Sequence, residues 1–278
     1  ARPATHAQAL AFVSGLKLFS DLALAAQPPA PGDRVVDLGC GFGETSQQLA
    51  GLVGVSGHVT GLDAAPRFVE VATREAEDAG AGNVDFQVAD VQSEVPGGPF
   101  DYAFGRMGTM FFANPVAAMR TVRLSLVPGG RLCMIVWRQK IDNAFMYRSE
   151  EVVDRHVPPT DVDDSDELTC GPGPFSMANA DTTSGQLIAA GFKEVAFRRL
   201  DVEIMFGNSA EEAVAAAMAL GPAAETLRLA GESAAELRPR IEADLTELCR
   251  DFERPDGGIF ASASAWLVSG AAPAENNS

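Results

Sequence analysis

Long apolar runs, histidine, tyrosine and positive charge are all scarce in this chain, and each shortage excludes a class of function. No stretch approaches the roughly 18 uninterrupted apolar residues of a membrane-crossing helix. The segment Ala1 to Ser20 lacks the basic start and apolar run of a secretory signal, so the sequence is expected to be soluble and cytoplasmic, with no membrane insertion. Four cysteines, Cys40, Cys133, Cys170 and Cys249, lie far apart without a CxxC pair, and there are three histidines. That spacing argues against a structural zinc site or a disulfide framework and predicts reduced thiols and no metal. Lys and Arg number 21 against 38 Asp and Glu, a formal charge of −17, and the largest basic cluster is Arg198 with Arg199. A nucleic-acid binder draws about 6–10 phosphate contacts from a basic patch, so DNA and RNA are excluded as substrates. The acidic run Asp161 to Glu167 reads as solvated loop charge.

The 278 residues are 46% hydrophobic, enough to bury a full core. We expect one domain over residues 1–278: an N-terminal helical segment at about 5–26, a core at about 32–137, 181–206 and 257–270, and insertions at about 138–180 and 207–256. Strand-length apolar runs at Arg34–Leu38, His58–Leu62, Val84–Val88, Phe100–Gly105 and Leu132–Trp137 alternate with helical segments, the pattern of a parallel sheet covered by helices. Pro66 opens a helix whose Phe68, Val71, Ala72, Ala76 and Ala79 form one stripe, and Asn114–Pro115 open another, stopped by Pro128, Gly129 and Gly130. Leu200, Val202, Ile204 and Phe206 alternate with polar neighbours, predicting a strand near a sheet edge, and Ile259–Val268 is the final strand. In the second insertion Leu237, Ile241, Leu245, Leu248 and Phe252 form an apolar stripe, with Pro239 placed in the first turn. Both insertions follow strands read as parallel, so both are expected at the carboxyl edge of the sheet as a lid over the substrate.

After the first strand comes "VVDLGCGFGE", Val35 to Glu44. A strand, a glycine turn and a helix N-terminus present backbone N–H groups to a ligand that can approach closely. Gly39 and Gly41 match the first two glycines of the dinucleotide pattern G-x-G-x-x-G, but Gly43 is one place early and Glu44 holds the third position, where its charge would oppose a pyrophosphate. Asp63, at the end of the second strand, suits the two hydroxyls of any ribose, and Asp90, at the end of the third, could accept from an adenine amino group or cap a turn.

With "VVDLGCGFGETSQQLA" (Val35–Ala50), "VTGLDAAPRFVEVA" (Val59–Ala72), "VDFQVADVQ" (Val84–Gln92), the stretch Phe100–Trp137 and "LIAAGFKEV" (Leu187–Val195) in this order, the chain resembles the class I S-adenosylmethionine-dependent methyltransferases. The fourth stretch and "AWLVSGAAP" are similar to a bacterial branch related to the ubiquinone and menaquinone biosynthesis methyltransferases. The resemblance implies an α/β, Rossmann-like, seven-stranded sheet whose last strand runs antiparallel, with helices on both faces and helical lid insertions. It implies S-adenosyl-L-methionine as cofactor, with Gly39, Cys40 and Gly41 along its methionine part and Asp37 orienting its amino group. Asp63 with Ala64 would take the ribose, Asp90 with Val91 the adenine, and the backbone of Gly105 and Arg106 the amino-acid end. The insertions match no motif from which a substrate could be carried over.

Methyl transfer from a sulfonium needs mainly alignment, worth roughly 7–11 kcal/mol, so the lack of an obvious general base excludes nothing. His156 is the candidate base, against the reading of a solvent-exposed loop histidine without a partner. Met107, Phe111, Trp137, Phe145 and Tyr147 are the candidate walls of a substrate pocket, each also readable as core. The expected acceptor is a small apolar or aromatic metabolite, the methylated atom is left open, and so is a homodimer. The competing readings are a cofactor-binding scaffold without turnover and a nicotinamide-dependent reductase, the latter lacking a Tyr-x-x-x-Lys pair.

Overall fold

A computed structural model describes residues 6–157, 172–219 and 221–274. The acidic run at 161–167 and Cys170 lie outside these. One compact unit comprises the described residues within Ala1–Leu18, Arg138–Glu167 and Asp201–Ser264, and the other those within Phe19–Trp137, Leu168–Leu200 and Ala265–Ser278. We call them the helical unit and the sheet unit.

Seven strands form one sheet: β1 (Arg34–Leu38), β2 (His58–Asp63), β3 (Val84–Val88), β4 (Phe100–Arg106), β5 (Leu126–Trp137), β6 (Lys193–Gly207) and β7 (Ile259–Ala271). They lie in the order β3-β2-β1-β4-β5-β7-β6. β1 runs parallel to β2 and β4, β2 to β3 and β4 to β5, while β7 runs antiparallel to β5. The expected Rossmann-like architecture with a reversed last strand is thus present. Leu132 to Trp137 are all buried. Because consecutive strand residues point to opposite faces, both faces of β5 are covered. β6 ends the order, as its alternating pattern predicts.

Helix α1 (His6–Ala26) precedes β1; in the sheet unit, α2 (Glu44–Val53) and α3 (Pro66–Asp78) pack on β1 to β3, and α4 (Pro115–Ser125) packs on β5 and on α6 (Ala180–Ala190). The Asn114 side chain accepts from the Ala117 amide at 3.0 Å, the cap its position before Pro115 predicts. Two details differ from the sequence pattern. The buried stripe of α3 is Val69, Ala72 and Ala76, with Phe68 turned outward onto Phe42 at 4.8 Å between ring centroids. Helix α4 stops at Ser125, and Pro128 to Gly130 run inside β5. Gly129 takes φ 77° there, which only glycine enters freely, and its amide donates to the Pro273 carbonyl. The strand thus passes through a Pro-Gly-Gly sequence that reads as a breaker.

The helical unit holds α5 (Ala144–Asp154), α7 (Ala210–Ala219), α8 (Pro222–Ala230) and α9 (Glu232–Cys249). Pro239 lies inside α9, not in its first turn. An interior proline forfeits a backbone hydrogen bond at a cost of about 3 kcal/mol. Ile241, Leu245 and Leu248 on the same helix are buried, each worth about 1.5–3 kcal/mol, and this face packs on α5 and α7, so burial outweighs the lost bond. Among the described residues no helix is long and apolar enough to cross a membrane.

Candidate functional site

Leaving β1 at Leu38, the chain turns through Gly39, Gly41 and Gly43 at φ 71°, 55° and 82°. The Gly39 and Cys40 amides both donate to the Leu62 carbonyl, at 2.8 and 3.0 Å. The Gly41 amide donates to Asp63 Oδ2 at 3.0 Å, while Asp63 Oδ1 accepts from the Ala65 amide at 2.9 Å. The Asp63 carbonyl in turn accepts from the Ala89 amide at 3.0 Å. The carboxyl ends of β1, β2 and β3 are therefore bound together by their own backbone, and Asp63 is the link.

The three glycines have different reasons to be glycine. A Cβ on Gly39 would come within 3.0 Å of Gly108 Cα, and one on Gly43 within 2.8 Å of Phe86 Cζ and 2.9 Å of Ala72 Cβ. A Cβ on Gly41 would meet no described atom within 4 Å. Gly39 and Gly43 serve packing between elements, whereas Gly41 keeps bare backbone facing open space. Gly43 does the work that the third glycine does in the dinucleotide pattern, from one position earlier.

Beneath the loop, Asp37 is 1% exposed and accepts from Ser46 Oγ at 2.7 Å. Burial pushes its pKa up to about 6, with the Ser46 hydrogen bond and the Arg106 charge pulling it back. Arg106, its side chain 10% exposed, pairs with Glu44 at 2.9 Å and also donates to Ser20 Oγ at 3.1 Å. The guanidinium partly neutralises Glu44, so the charge argument against a pyrophosphate loses most of its force. Burial raises the Cys40 thiol well above the usual range, which makes it an inert wall of the loop.

Just past β4, Met107 takes φ 59°, a conformation that costs a non-glycine residue about 1–3 kcal/mol and collects at functional sites. Its amide donates to the Ile135 carbonyl at 2.9 Å. A Cβ on Gly108 would lie 2.9 Å from the Leu38 carbonyl oxygen, so the exits of β1 and β4 press against each other. The glycine turn, acids at the ends of β1 and β2, and a strained exit from β4 form one constellation within the sheet unit.

The family described as "Methyltransferase domain" matches residues 29–180, more than half of the chain and all of this constellation. The chain belongs to this methyltransferase family. Its fold and motifs are those of a class I S-adenosylmethionine-dependent methyltransferase, with S-adenosylmethionine as cofactor. Aklanonic acid methyltransferase DauC of Streptomyces sp. (strain C5) is 37% identical over 107 residues, 37% of this chain and 48% of that protein. A ubiquinone biosynthesis O-methyltransferase of Cereibacter sphaeroides is 32% identical over 140 residues, 50% of this chain and 55% of the other. The chain thus spans about half the length of these curated relatives. The YcgJ protein of Bacillus subtilis shares the fold with a TM-score of 0.56 at 17% identity, over 94% of this chain and 98% of that one.

The cofactor fits what the methyltransferase presents: a bare glycine face at Gly41, a carboxylate at Asp63 that still has lone pairs beyond its two amide contacts, and the acid Asp37 below. The other expected residues fall as follows. Ala64 is exposed beside Asp63, and Gly105 is crowded, since a Cβ there would lie 3.0 Å from Thr109 Cγ2. Asp90 is exposed and accepts from the Gln92 amide at 3.0 Å, closing its own turn, with Val91 buried next to it. In the sheet unit Met107 is buried, Phe111 is 55% exposed, and Trp137 packs edge-on to Phe19 at 5.6 Å.

In the helical unit Phe145 is core, 4.5 Å from Phe206 and 5.4 Å from Phe252 between ring centroids. Tyr147 is held by a hydrogen bond to Glu151, which raises its pKa. His156, read as a histidine without a partner, has one: its Nε2 lies 2.8 Å from Asp244 Oδ2, with the ring side chain 19% exposed. The pair ties the end of α5 to α9 across 88 residues of sequence, a distance over which no spacing rule reaches.

Proposed function

We propose that this chain transfers a methyl group from S-adenosylmethionine to a small apolar or aromatic metabolite in the cytoplasm, with no nucleic acid as substrate. The observation that carries the cofactor half is the bare Gly41 backbone beside the Asp63 carboxylate within a matched methyltransferase domain. The acceptor half is supported by the names of the relatives, one acting on aklanonic acid and one in ubiquinone biosynthesis, and by the excess of acidic over basic residues, which disfavours polyanions.

The bound cofactor supplies an electrophilic methyl group on a sulfonium. The protein's part is to hold and orient: Gly39, Cys40 and Gly41 give close backbone approach to the methionine part, Asp37 faces its amino group, and Gly105 and Arg106 border its carboxyl end. Asp63 with Ala64 takes the ribose, and Asp90 with Val91 takes the adenine. Met107, Phe111 and Trp137 are assigned to acceptor recognition in the sheet unit, Phe145 and Tyr147 in the helical unit. His156 acts as a base only for an acceptor that must lose a proton. The helical unit, to which both insertions contribute, is assigned to acceptor binding.

The test is calorimetric titration with S-adenosylhomocysteine, which needs no acceptor. The ligand-free protein is expected to bind it at one saturable site. Asp63→Ala removes a charge-assisted contact worth roughly 1.5–3 kcal/mol and should weaken binding about 10- to 150-fold while the circular dichroism spectrum is retained. Unchanged affinity in the folded variant would remove Asp63 from the site. An acceptor screen should then favour hydrophobic phenols. Robust turnover of a highly charged acceptor with none of hydrophobic ones would overturn the acceptor class, and binding without any turnover would favour the scaffold.

A further inference from the structure

Arg106 and Asp37 stand on one face of the sheet. Asp37 is the register partner of Phe104 where β1 runs beside β4, and Arg106 lies two residues beyond Phe104, so its side chain leaves the same face at the exit of β4. The guanidinium is near enough to oppose the rise that burial causes in the Asp37 pKa. An acid and a guanidinium together at these strand ends match the two charges that the methionine part of the cofactor carries on one carbon, an ammonium and a carboxylate.

The two partners of Arg106 hold it unequally. Its Nη1 donates to Ser20 Oγ at 3.1 Å, and Ser20, in the second half of α1, is fully buried. Its Nη2 donates to Glu44 Oε2 at 2.9 Å, and the Glu44 side chain is 35% exposed against 10% for Arg106. The guanidinium is therefore fixed by packing, and the Glu44 carboxylate is not. Glu44 opens α2, where the helix N-terminus favours an anion with or without the guanidinium. An ion pair with one partner this exposed is weak enough to exchange. A guanidinium presents five N–H donors in a fork that suits a carboxylate, so an incoming carboxylate can take the place of Glu44, which then turns to water.

We infer that Glu44 competes with the cofactor's carboxylate for the Arg106 guanidinium, so that Asp37 and Arg106 read the amino-acid end as a zwitterion and Glu44 limits how tightly it is held. The inference rests on the proposed placement of that end at the glycine turn. It gives a function to the carboxylate that stands where the dinucleotide pattern has its third glycine. Cofactor and demethylated product share this end, so the exchange weakens the hold on the product as much as on the cofactor.

The test is calorimetric titration of the full chain with S-adenosylhomocysteine and with its decarboxylated analogue S-adenosyl-3-thiopropylamine, which keeps the amine. The readout is the ratio of the two affinities, which a merely structural loss does not move because it weakens both ligands alike. Glu44→Gln, which keeps the shape and a hydrogen-bond acceptor for Arg106, should raise the ratio in favour of S-adenosylhomocysteine by about 3- to 10-fold. Arg106→Gln should lower it by about 10- to 100-fold, the loss of hydrogen bonds to a charged group. In the double variant the gain from Glu44→Gln should largely vanish, since the two residues act on one another. A ratio that Glu44→Gln leaves unchanged or lowers, or a gain that persists in full without Arg106, would overturn the competition, and Glu44→Gln decides alone where Arg106→Gln does not fold. 5′-Methylthioadenosine, which has no amino-acid end, separates the two readings. If it and S-adenosylhomocysteine bind while the ratio ignores Glu44, the competition alone is rejected; if neither binds to the folded protein, the cofactor site itself is.

Discussion

Gly41→Ala should give a folded protein that has lost most of its affinity for S-adenosylhomocysteine, while Gly43→Ala should lose stability first. The two positions are two residues apart, both at positive φ, and either alanine pays about 1–2 kcal/mol for the left-handed conformation. Beyond that their surroundings differ. The added methyl at 41 meets no described atom within 4 Å, so the folded state registers little more than the backbone term, and on the proposed role of Gly41 the group stands where the cofactor comes. A loss of about 100-fold in affinity, some 3 kcal/mol, is expected with a small drop in melting temperature. At 43 the methyl lies 2.8 Å from the Phe86 ring and 2.9 Å from Ala72 Cβ, so α2, α3 and β3 must shift. Overpacking of this kind adds about 1–3 kcal/mol, for a total near 2–5 kcal/mol read from denaturant unfolding. If Gly41→Ala binds as well as the parent, the bare backbone there faces solvent and not ligand. Equal stability losses at the two sites would reject the division of roles.

That division also shows where the sequence could and could not be read. The strands were legible because apolar runs of strand length recur between helical patterns, and β5 because six consecutive buried residues demand a strand covered on both faces. Gly39, Gly41, Asp63 and Asp90 could be singled out as candidates because strand exits are local, built from the turn after one strand and the first residues past the next. The Arg106–Glu44 pair was not, since the partners lie 62 positions apart and meet only when β4 settles beside β1. The same holds for His156 with Asp244. Pro239 and Pro128 mislead in the opposite direction: local propensity marks each as a boundary, and burial of the neighbouring face or a glycine at the next position carries the element through.

Asp37→Asn is expected to make the protein more stable near neutral pH and a poorer binder of the cofactor. The native pKa of about 6 lies above the ordinary 3.8, so between those values the folded protein holds the proton more firmly than the unfolded chain. Stability from this group is therefore fully present below the unfolded value and is lost as pH rises through about 6. Two units at 1.36 kcal/mol each put the loss near 3 kcal/mol at neutrality. Asparagine carries no charge to bury, and Ser46 can still bond to its carbonyl oxygen. The variant should gain up to about 3 kcal/mol over the parent around pH 7.5 and little around pH 4, as read from urea unfolding at each pH. Binding should run the other way. On the proposed role of Asp37 the cofactor's cationic amino group is met by the ionised carboxylate, so the parent's affinity for S-adenosylhomocysteine should rise about 10-fold from roughly pH 5 to 7 and then level off. In Asp37→Asn that rise should vanish and affinity near neutrality fall by about 100-fold, the loss of a buried charge pair. A carboxylate kept in place against its own desolvation is then explained by the ligand it holds. A variant that binds like the parent, with the same pH profile, would leave Asp37 as a helix-anchoring partner of Ser46 and nothing more.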